Sequence, residues 1–266
     1  MKADLHTHTN YSDGKLSVCE LLNLAQSHNI SIVSITDHDT FAGVKEALSL
    51  NKDIRIIIGI ELSTVRNGEN VHLLGYFKNL ELIEKLQPVL DQQVIRRHER
   101  AYKILDKLKN HFNIILDPKF INEVESITRG TIAREIIKQG YDYSSTYIFD
   151  HIIGEGCPAY IPSSKMQTSD GIKLIKECGG LVVLAHPRHL ENNNPQDIID
   201  LGIDGIEAIY PLQDEEYFRN LAMKNKLFIT AGTDFHELND DRHGNVGDKY
   251  LEGEDLNTFL KVLYES

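Results

Sequence analysis

The sequence predicts an α/β fold built on parallel strands and interrupted by a helical insertion. Three observations carry this. Short β-branched runs alternate with amphipathic stretches in the first third of the chain and again in its last 100 or so residues. The stretch between has helical periodicity and no strand pattern. Histidines and carboxylates recur where the runs finish, and in parallel α/β folds that end is where sites are built.

The chain opens with a strand running into a turn, Asp4-Leu5-His6-Thr7-His8-Thr9-Asn10-Tyr11-Ser12-Asp13-Gly14. Successive side chains of a strand alternate, so Asp4, His6 and His8 share one face. Two imidazoles about 6–7 Å apart along that face can converge on one cation. Asp13 in the turn reaches the same mouth, and Asp4, deeper on the face, can orient a ligand imidazole. Ser17 and Glu20 form a capping box that starts a helix with Leu21, Leu22, Leu24 and Ala25 as its apolar face and Asn29 as its stop. Ser31–Thr36 is a buried strand delivering Asp37-His38-Asp39. A helix over Gly43–Leu50 leads to the strand Ile54–Ile60, which ends in Glu61. A further strand, Val71–Tyr76, carries His72.

Between residues 78 and 165 the rhythm stops. Glu81–Asn110 reads as one long charged helix, followed by shorter pieces near Lys119–Glu125, Ile132–Gln139 and Thr146–Ile153 and a closing turn at Gly156–Pro162. Residues 1–77 and 166–266 are accordingly expected to form the domain that carries the site, with 78–165 as an inserted helical cap. The α/β rhythm then resumes. Thr168 caps a helix over Gly171–Cys178, Leu181–Ala185 is a strand ending at His186, and a short helix covers Ile198–Leu201. Gly205–Ile209 is a strand, Glu215–Asn225 a helix and Leu227–Gly232 a strand. Beyond it Asp234 and His236 share a strand face, and the last helix runs over Leu256–Tyr264.

Composition narrows the function classes. The 266 residues carry a net charge of −12, which argues against loose binding along nucleic acid but leaves a small phosphorylated substrate open. No apolar run is long enough to span a bilayer, no signal peptide is expected, and the three scattered cysteines suit a reduced, cytoplasmic protein. No protein partner is evident.

Twelve histidines is a high count. His28, His98, His111, His151, His189 and His243 fall on helices or in loops and read as ordinary. The other six, with three carboxylates, lie at expected strand ends: His6, His8, Asp13, His38, Glu61, His72, His186, Asp234 and His236. Imidazole with carboxylate and no thiolate suits zinc, manganese or iron rather than a structural zinc finger. Nine candidates exceed what one ion uses, so two or three divalent ions are expected. Clustered ions activate water and clamp the oxygens of a displacement, which is equipment for phosphate ester hydrolysis. No GxSxG motif or suitably placed cysteine supports a covalent mechanism.

The segments Asp4-Leu5-His6-Thr7-His8 with Ser12-Asp13-Gly14, Thr36-Asp37-His38-Asp39-Thr40, Gly59-Ile60-Glu61, Ala185-His186-Pro187 and Gly232-Thr233-Asp234-Phe235-His236 resemble, in order, the PHP (polymerase and histidinol phosphatase) metal-dependent phosphoesterases. Within that superfamily the chain is most similar to the stand-alone branch of nucleoside 3′,5′-bisphosphate phosphatases and 5′-end-trimming exoribonucleases. Arg129–Arg134 and Pro158–Pro162 resemble that branch's cap segments. The resemblance implies a distorted (β/α)7 TIM-like barrel holding three ions. It assigns His6, His8, Glu61 and Asp234 to one ion, where the attacking water is held. Glu61 bridges to a second, with His72 and His186, and Asp13, His38 and His236 hold the third. Two departures stand out: Thr131 where the branch often carries His, and Arg188-His189 where smaller residues are expected.

The leading expectation is a metal-dependent phosphatase for a small nucleotide, such as a nucleoside 3′,5′-bisphosphate, or for RNA 5′ ends. Arg129, Arg134, Lys165, Arg188 and His189 are its candidates for gripping phosphate. A histidinol-phosphate phosphatase or other small-molecule phosphatase is the competing enzyme, and a scaffold merely stabilised by metal the competing non-enzyme.

Overall fold

A computed structural model describes residues 1–50, 52–123, 127–162, 165–239 and 243–265. In chain order its elements are β1 (Lys2–Thr7), α1 (Val18–Ser27), β2 (Ile32–Ile35), α2 (Ala42–Ser49), β3 (Arg55–Arg66), β4 (Glu69–Phe77), α3 (Leu80–Glu84), α4 (Gln87–Phe112), α5 (Arg129–Lys138), α6 (Ser145–Ile148), β5 (Met166–Gln167), α7 (Thr168–Glu177), β6 (Leu181–Leu184), α8 (Pro195–Ile199), β7 (Gly205–Ile209), α9 (Glu215–Asn225), β8 (Phe228–Ala231), β9 (Leu251–Glu252) and α10 (Gly253–Glu265). The chain divides into two compact units, one of residues 1–88 with 166–266 and one of 89–165.

In the first unit the strands form a single sheet in the order β8-β7-β6-β4-β3-β2-β1-β9, with β5 added to β3. Its two flanks meet just past β8, where Asp234 N–H donates to the His6 carbonyl at 2.8 Å and His8 N–H to the Phe235 carbonyl at 2.9 Å. The result is a nearly closed, distorted TIM-like barrel with helices around it. Its interior is filled: the Tyr76 hydroxyl on β4 reaches the Leu5 carbonyl on β1 at 2.9 Å, and these strands are not sheet neighbours. Side chains on both faces of β2 and β3 are buried, which is why these strands read as continuous apolar runs.

The distortion comes from β4, which runs antiparallel to both β3 and β6. Sequence rhythm alone places it among parallel strands. The signal for reversal is Asn67-Gly68, both at positive φ (49° and 80°), a two-residue hairpin turn that favours this pair. His72 therefore lies near the start of its strand, opposite Ser63. Glu61, expected at a strand end, lies inside β3, which runs on to Arg66, and the hairpin sets the two side chains together. Asp234 is a second correction: at φ 54° it is left-handed, not a continuation of β8, so the alternation that would pair it with His236 does not operate.

Local chemistry explains most boundaries. Ser17 and Glu20 form the expected box at α1, and Asn29, at φ 59°, ends that stretch. The long helix is broken into α3 and α4, and Pro88 sits at the second position of α4, where a missing N–H costs nothing. Thr168 lies inside α7 rather than capping it, its hydroxyl pairing with that of Thr64 at 2.9 Å. The piece expected near Lys119–Glu125 is a 3₁₀ turn, Pro118–Asn122; its last two positions, 124 and 125, lie outside the described residues. The piece expected over Thr146–Ile153 begins as α6 and continues as a π-turn, Phe149–Ile153.

The second unit has an apolar core of its own, including Ile104, Leu108, Phe120, Ile132, Ile136, Ile148 and Ile152. Among the described residues no helix is long and apolar enough to cross a membrane.

Candidate metal centre

All nine residues singled out at expected strand ends meet at one end of the barrel. His6 and His8 bring their Nε2 atoms to 3.1 Å of each other. Glu61 Oε2 approaches them at 3.2 and 3.0 Å, and Asp234 Oδ1 at 3.2 and 3.1 Å. The other oxygen of Glu61, Oε1, lies 2.9 Å from His72 Nδ1 and 2.9 Å from His186 Nε2. Asp13 gathers the remainder: its Oδ1 is 3.2 Å from His236 Nε2 and its Oδ2 3.7 Å from His38 Nε2. Glu61 thus joins two groups of imidazoles and also reaches His38 Nδ1 at 3.3 Å through Oε2, while Asp13 heads the third group.

Whether these residues fit metal ions is tested by their unsatisfied atoms. Glu61 Oε2, Asp234 Oδ1 and Asp13 Oδ1 are buried without a hydrogen-bond partner, although each has imidazole nitrogens within reach. Buried carboxylate oxygens left so are costly unless a cation completes them. The donor atoms of His6, His8, Glu61 and Asp234 lie within 4.8 Å of one another, as do those of His8, Asp13, His38 and His236. Six imidazoles, three carboxylates and no thiolate make a donor set for borderline divalent ions. The residues fit.

Charge balance points the same way. Burial alone would raise the carboxyls of Glu61 and Asp234, but the surrounding imidazoles hold both well below the usual carboxylate range. Burial would lower His8, yet Asp234, Glu61 and Asp13 push it up to about 10. His6 is raised likewise, against burial, by Asp234, Glu207 and Glu61. His38 goes the other way, to about 4, because its burial outweighs the pull of Glu61 and Asp13. Divalent ions bind only unprotonated rings, so they would compete with protons for His6 and His8.

A surrounding layer fixes the centre. Glu207 on β7 holds His6 Nδ1 at 3.0 Å and accepts the His186 backbone N–H at 2.7 Å. Asp37 accepts Thr9 N–H, the Thr9 hydroxyl and the Ser12 hydroxyl, each at 2.7 Å, and so ties down the turn that presents Asp13. Asp4, the expected orienter of an imidazole, is instead engaged by the Thr233 hydroxyl at 2.6 Å, and burial raises its carboxyl to about 7. The Tyr210 hydroxyl donates to Asp234 Oδ2 at 3.0 Å. His243, read as ordinary, stacks on His236 at 4.3 Å and places Nε2 3.6 Å from Asp234 Oδ2. Glu207 left one trace in the sequence, a carboxylate inside an apolar strand.

The phosphate-gripping candidates divide by unit. Arg188 and His189 form a turn directly after His186: Arg188 NH1 donates to the Pro211 carbonyl at 3.0 Å, and His189 Nε2 lies 3.2 Å from the Tyr210 hydroxyl. Arg129, Arg134 and Lys165 belong to the second unit. Arg129 opens α5 and rests over the Tyr160 ring at 5.5 Å, and Arg134 is exposed on the same helix. Thr131 is occupied in the cap of that helix, its N–H and hydroxyl both meeting the Thr128 hydroxyl at 3.1 Å.

Comparison with known proteins adds independent findings. The PHP domain family profile matches residues 4–148. The chain is 31% identical to the 5'-3' exoribonuclease Rnm of Escherichia coli (strain K12), over 88% of this chain and 85% of that protein. It is 27% identical to the 3',5'-nucleoside bisphosphate phosphatase of Chromobacterium violaceum, over 88% and 86%. Among solved structures, one from Bifidobacterium adolescentis, provisionally described as a metal-dependent phosphoesterase, superposes with a TM-score of 0.79 at 25% identity and covers 97% of this chain and 95% of its own.

Proposed function

The chain belongs to the PHP domain family and is a metal-dependent phosphoesterase, and from that premise we propose that it removes phosphate from nucleoside 3′,5′-bisphosphates or trims RNA 5′ ends. The observation that carries the chemistry is the trio of orphaned carboxylate oxygens set among imidazoles. His6, His8, Glu61 and Asp234 would hold one divalent ion, Glu61 with His72 and His186 a second, and Asp13, His38 and His236 a third. Manganese, zinc and iron all suit such a set. When bound, the ions supply Lewis acidity that activates water and neutralises charge on the phosphoryl oxygens.

The chain's own residues do the rest. The orienting carboxylates Glu207 and Asp37 keep the donors in place, so little reorganisation is needed when substrate arrives. Arg188 and His189, directly beyond His186, would meet the phosphate being removed; Arg129, Arg134 and Lys165 remain the cationic candidates of the second unit. The relatives named as exoribonucleases favour the RNA arm of this reading, and the bisphosphate phosphatase the nucleotide arm. A phosphate-release screen with added manganese, across 3′,5′-bisphosphonucleotides, mononucleotides, sugar phosphates and short 5′-phosphorylated RNA, decides between them. Turnover of sugar phosphates above both nucleotide classes would overturn the proposal.

A further inference from the structure

Glu207 is fully buried in the middle of β7, and sequence reasoning gives it no role. A buried carboxylate persists only where its oxygens are satisfied, and here both are. Oε1 lies 3.0 Å and Oε2 3.3 Å from His6 Nδ1, and Oε2 also accepts the backbone N–H of His186 at 2.7 Å. These contacts reach two different groups of candidate ligands. His6 faces Asp234 and Glu61 Oε2 through its other nitrogen, whereas His186 faces Glu61 Oε1.

We infer that Glu207 is a positioning residue that prepares two ion sites at once, by fixing the tautomer of His6 and the backbone of His186. A carboxylate can only accept, so the proton of neutral His6 must sit on Nδ1. That leaves the Nε2 lone pair directed at the carboxylates of the centre. The second contact falls where the backbone is strained. His186 has φ 24° and ψ 61°, a conformation that needs external support, and its N–H is held by Glu207. Gly232 shows how closely this corner is packed. A Cβ there would lie 2.2 Å from His6 Cβ and 2.8 Å from Glu207 Oε1. The contacts of Asp13, His38 and His236 do not include Glu207, so a third ion should be indifferent to it.

The inference rests on the metal reading above, and its test keeps the two apart. Wild-type protein and Glu207→Gln are loaded with manganese, titrated with a chelator, and their retained ions counted by elemental analysis. Glutamine keeps the volume but offers one accepting oxygen to two donors. Two ions should become about ten- to a hundredfold easier to remove, with one unchanged. Equal retention in both proteins, or equal weakening of every ion, overturns the role of Glu207. A wild-type protein that binds no ion overturns the metal reading instead. A second measurement needs no variant: ¹⁵N NMR of the histidines in chelator-treated wild type at pH values where His6 is neutral, and again after loading. Nδ1–H on His6 in both states is expected, and a proton on Nε2 with Nδ1 bare in the neutral ring would refute the proposal even if Glu207→Gln failed to fold.

Discussion

Glu61 is asked to do more than any other side chain. Its two oxygens face separate imidazole groups, and one of them has no hydrogen bond to fall back on. Glu61→Gln should therefore weaken two ions together and lower kcat/KM by more than about a hundredfold, beyond what loss of an orienting neighbour costs. Ordinary turnover with full ion content would remove Glu61 from its bridging place. The histidines give a pH prediction. His8 is ordinarily near 6.5 but is raised to about 10 in the folded, ion-free protein, and His6 and His186 shift the same way. A base raised on folding stabilises fully below its unfolded value and loses that contribution as pH climbs through the folded one. The Tm of chelator-treated protein should accordingly fall between pH 6.5 and about 10, while the Tm gained on adding manganese grows over the same interval as protons cease to compete. Scanning fluorimetry with and without chelator would show it, and a flat ion-free curve would count against the charge balance described above. At this scale the sequence is generous with residues that stand at strand ends and silent about those that support them. His6, His8 and Asp234 belong to short motifs, whereas Glu207 is separated by 201 positions from the His6 it orients.

Elements decide where those residues point. Parallel strands deliver Glu61, His186 and Asp234 at one end of the barrel by topology alone, but His72 arrives only because β4 reverses at Asn67-Gly68. The helices and most strands are legible because their determinants are local: caps, β-branched runs and stops. Strand direction is not, unless a turn pair is recognised for what it is, and two-residue strands such as β5 and β9 carry too little pattern to register at all. Two glycines separate the roles of turn and packing. A Cβ added at Gly68 would meet nothing within 4 Å, so Gly68→Ala should cost only the strain of positive φ, about 1–2 kcal/mol, with ions retained. Gly232 has His6 in the way, so Gly232→Ala must move β1 or β8 and should release ions as well as stability. Urea midpoints and ion content on both variants check the contrast; ion loss in Gly68→Ala would show the hairpin to be less independent than its geometry suggests.

Taken whole, the molecule keeps its ion-binding donors in one unit and a separate helical core in the other. An overall charge of −12 repels anionic substrates at long range, so both capture and selection must be local. Divalent ions grip any phosphate with little regard for what it is attached to, which leaves discrimination to side chains. Arg129 and Arg134 are the candidates with a physical case: Arg129 begins α5, whose first N–H groups favour an anion, and Arg134 follows little more than one turn later. Thr131, between them, is spent on the cap and leaves phosphate to the two arginines. Replacing either arginine with alanine should remove one charge-assisted contact, about 1.5–3 kcal/mol, or roughly ten- to a hundredfold in kcat/KM. That loss should appear with a 3′,5′-bisphosphonucleotide and be nearly absent with an aryl phosphate, which has no second phosphate to hold. The measurement is kcat/KM for both substrates in Arg129→Ala and Arg134→Ala. Equal losses on the two would make the arginines structural, Arg129 through its rest on Tyr160, and selectivity would then pass to Arg188 and His189 beside the centre.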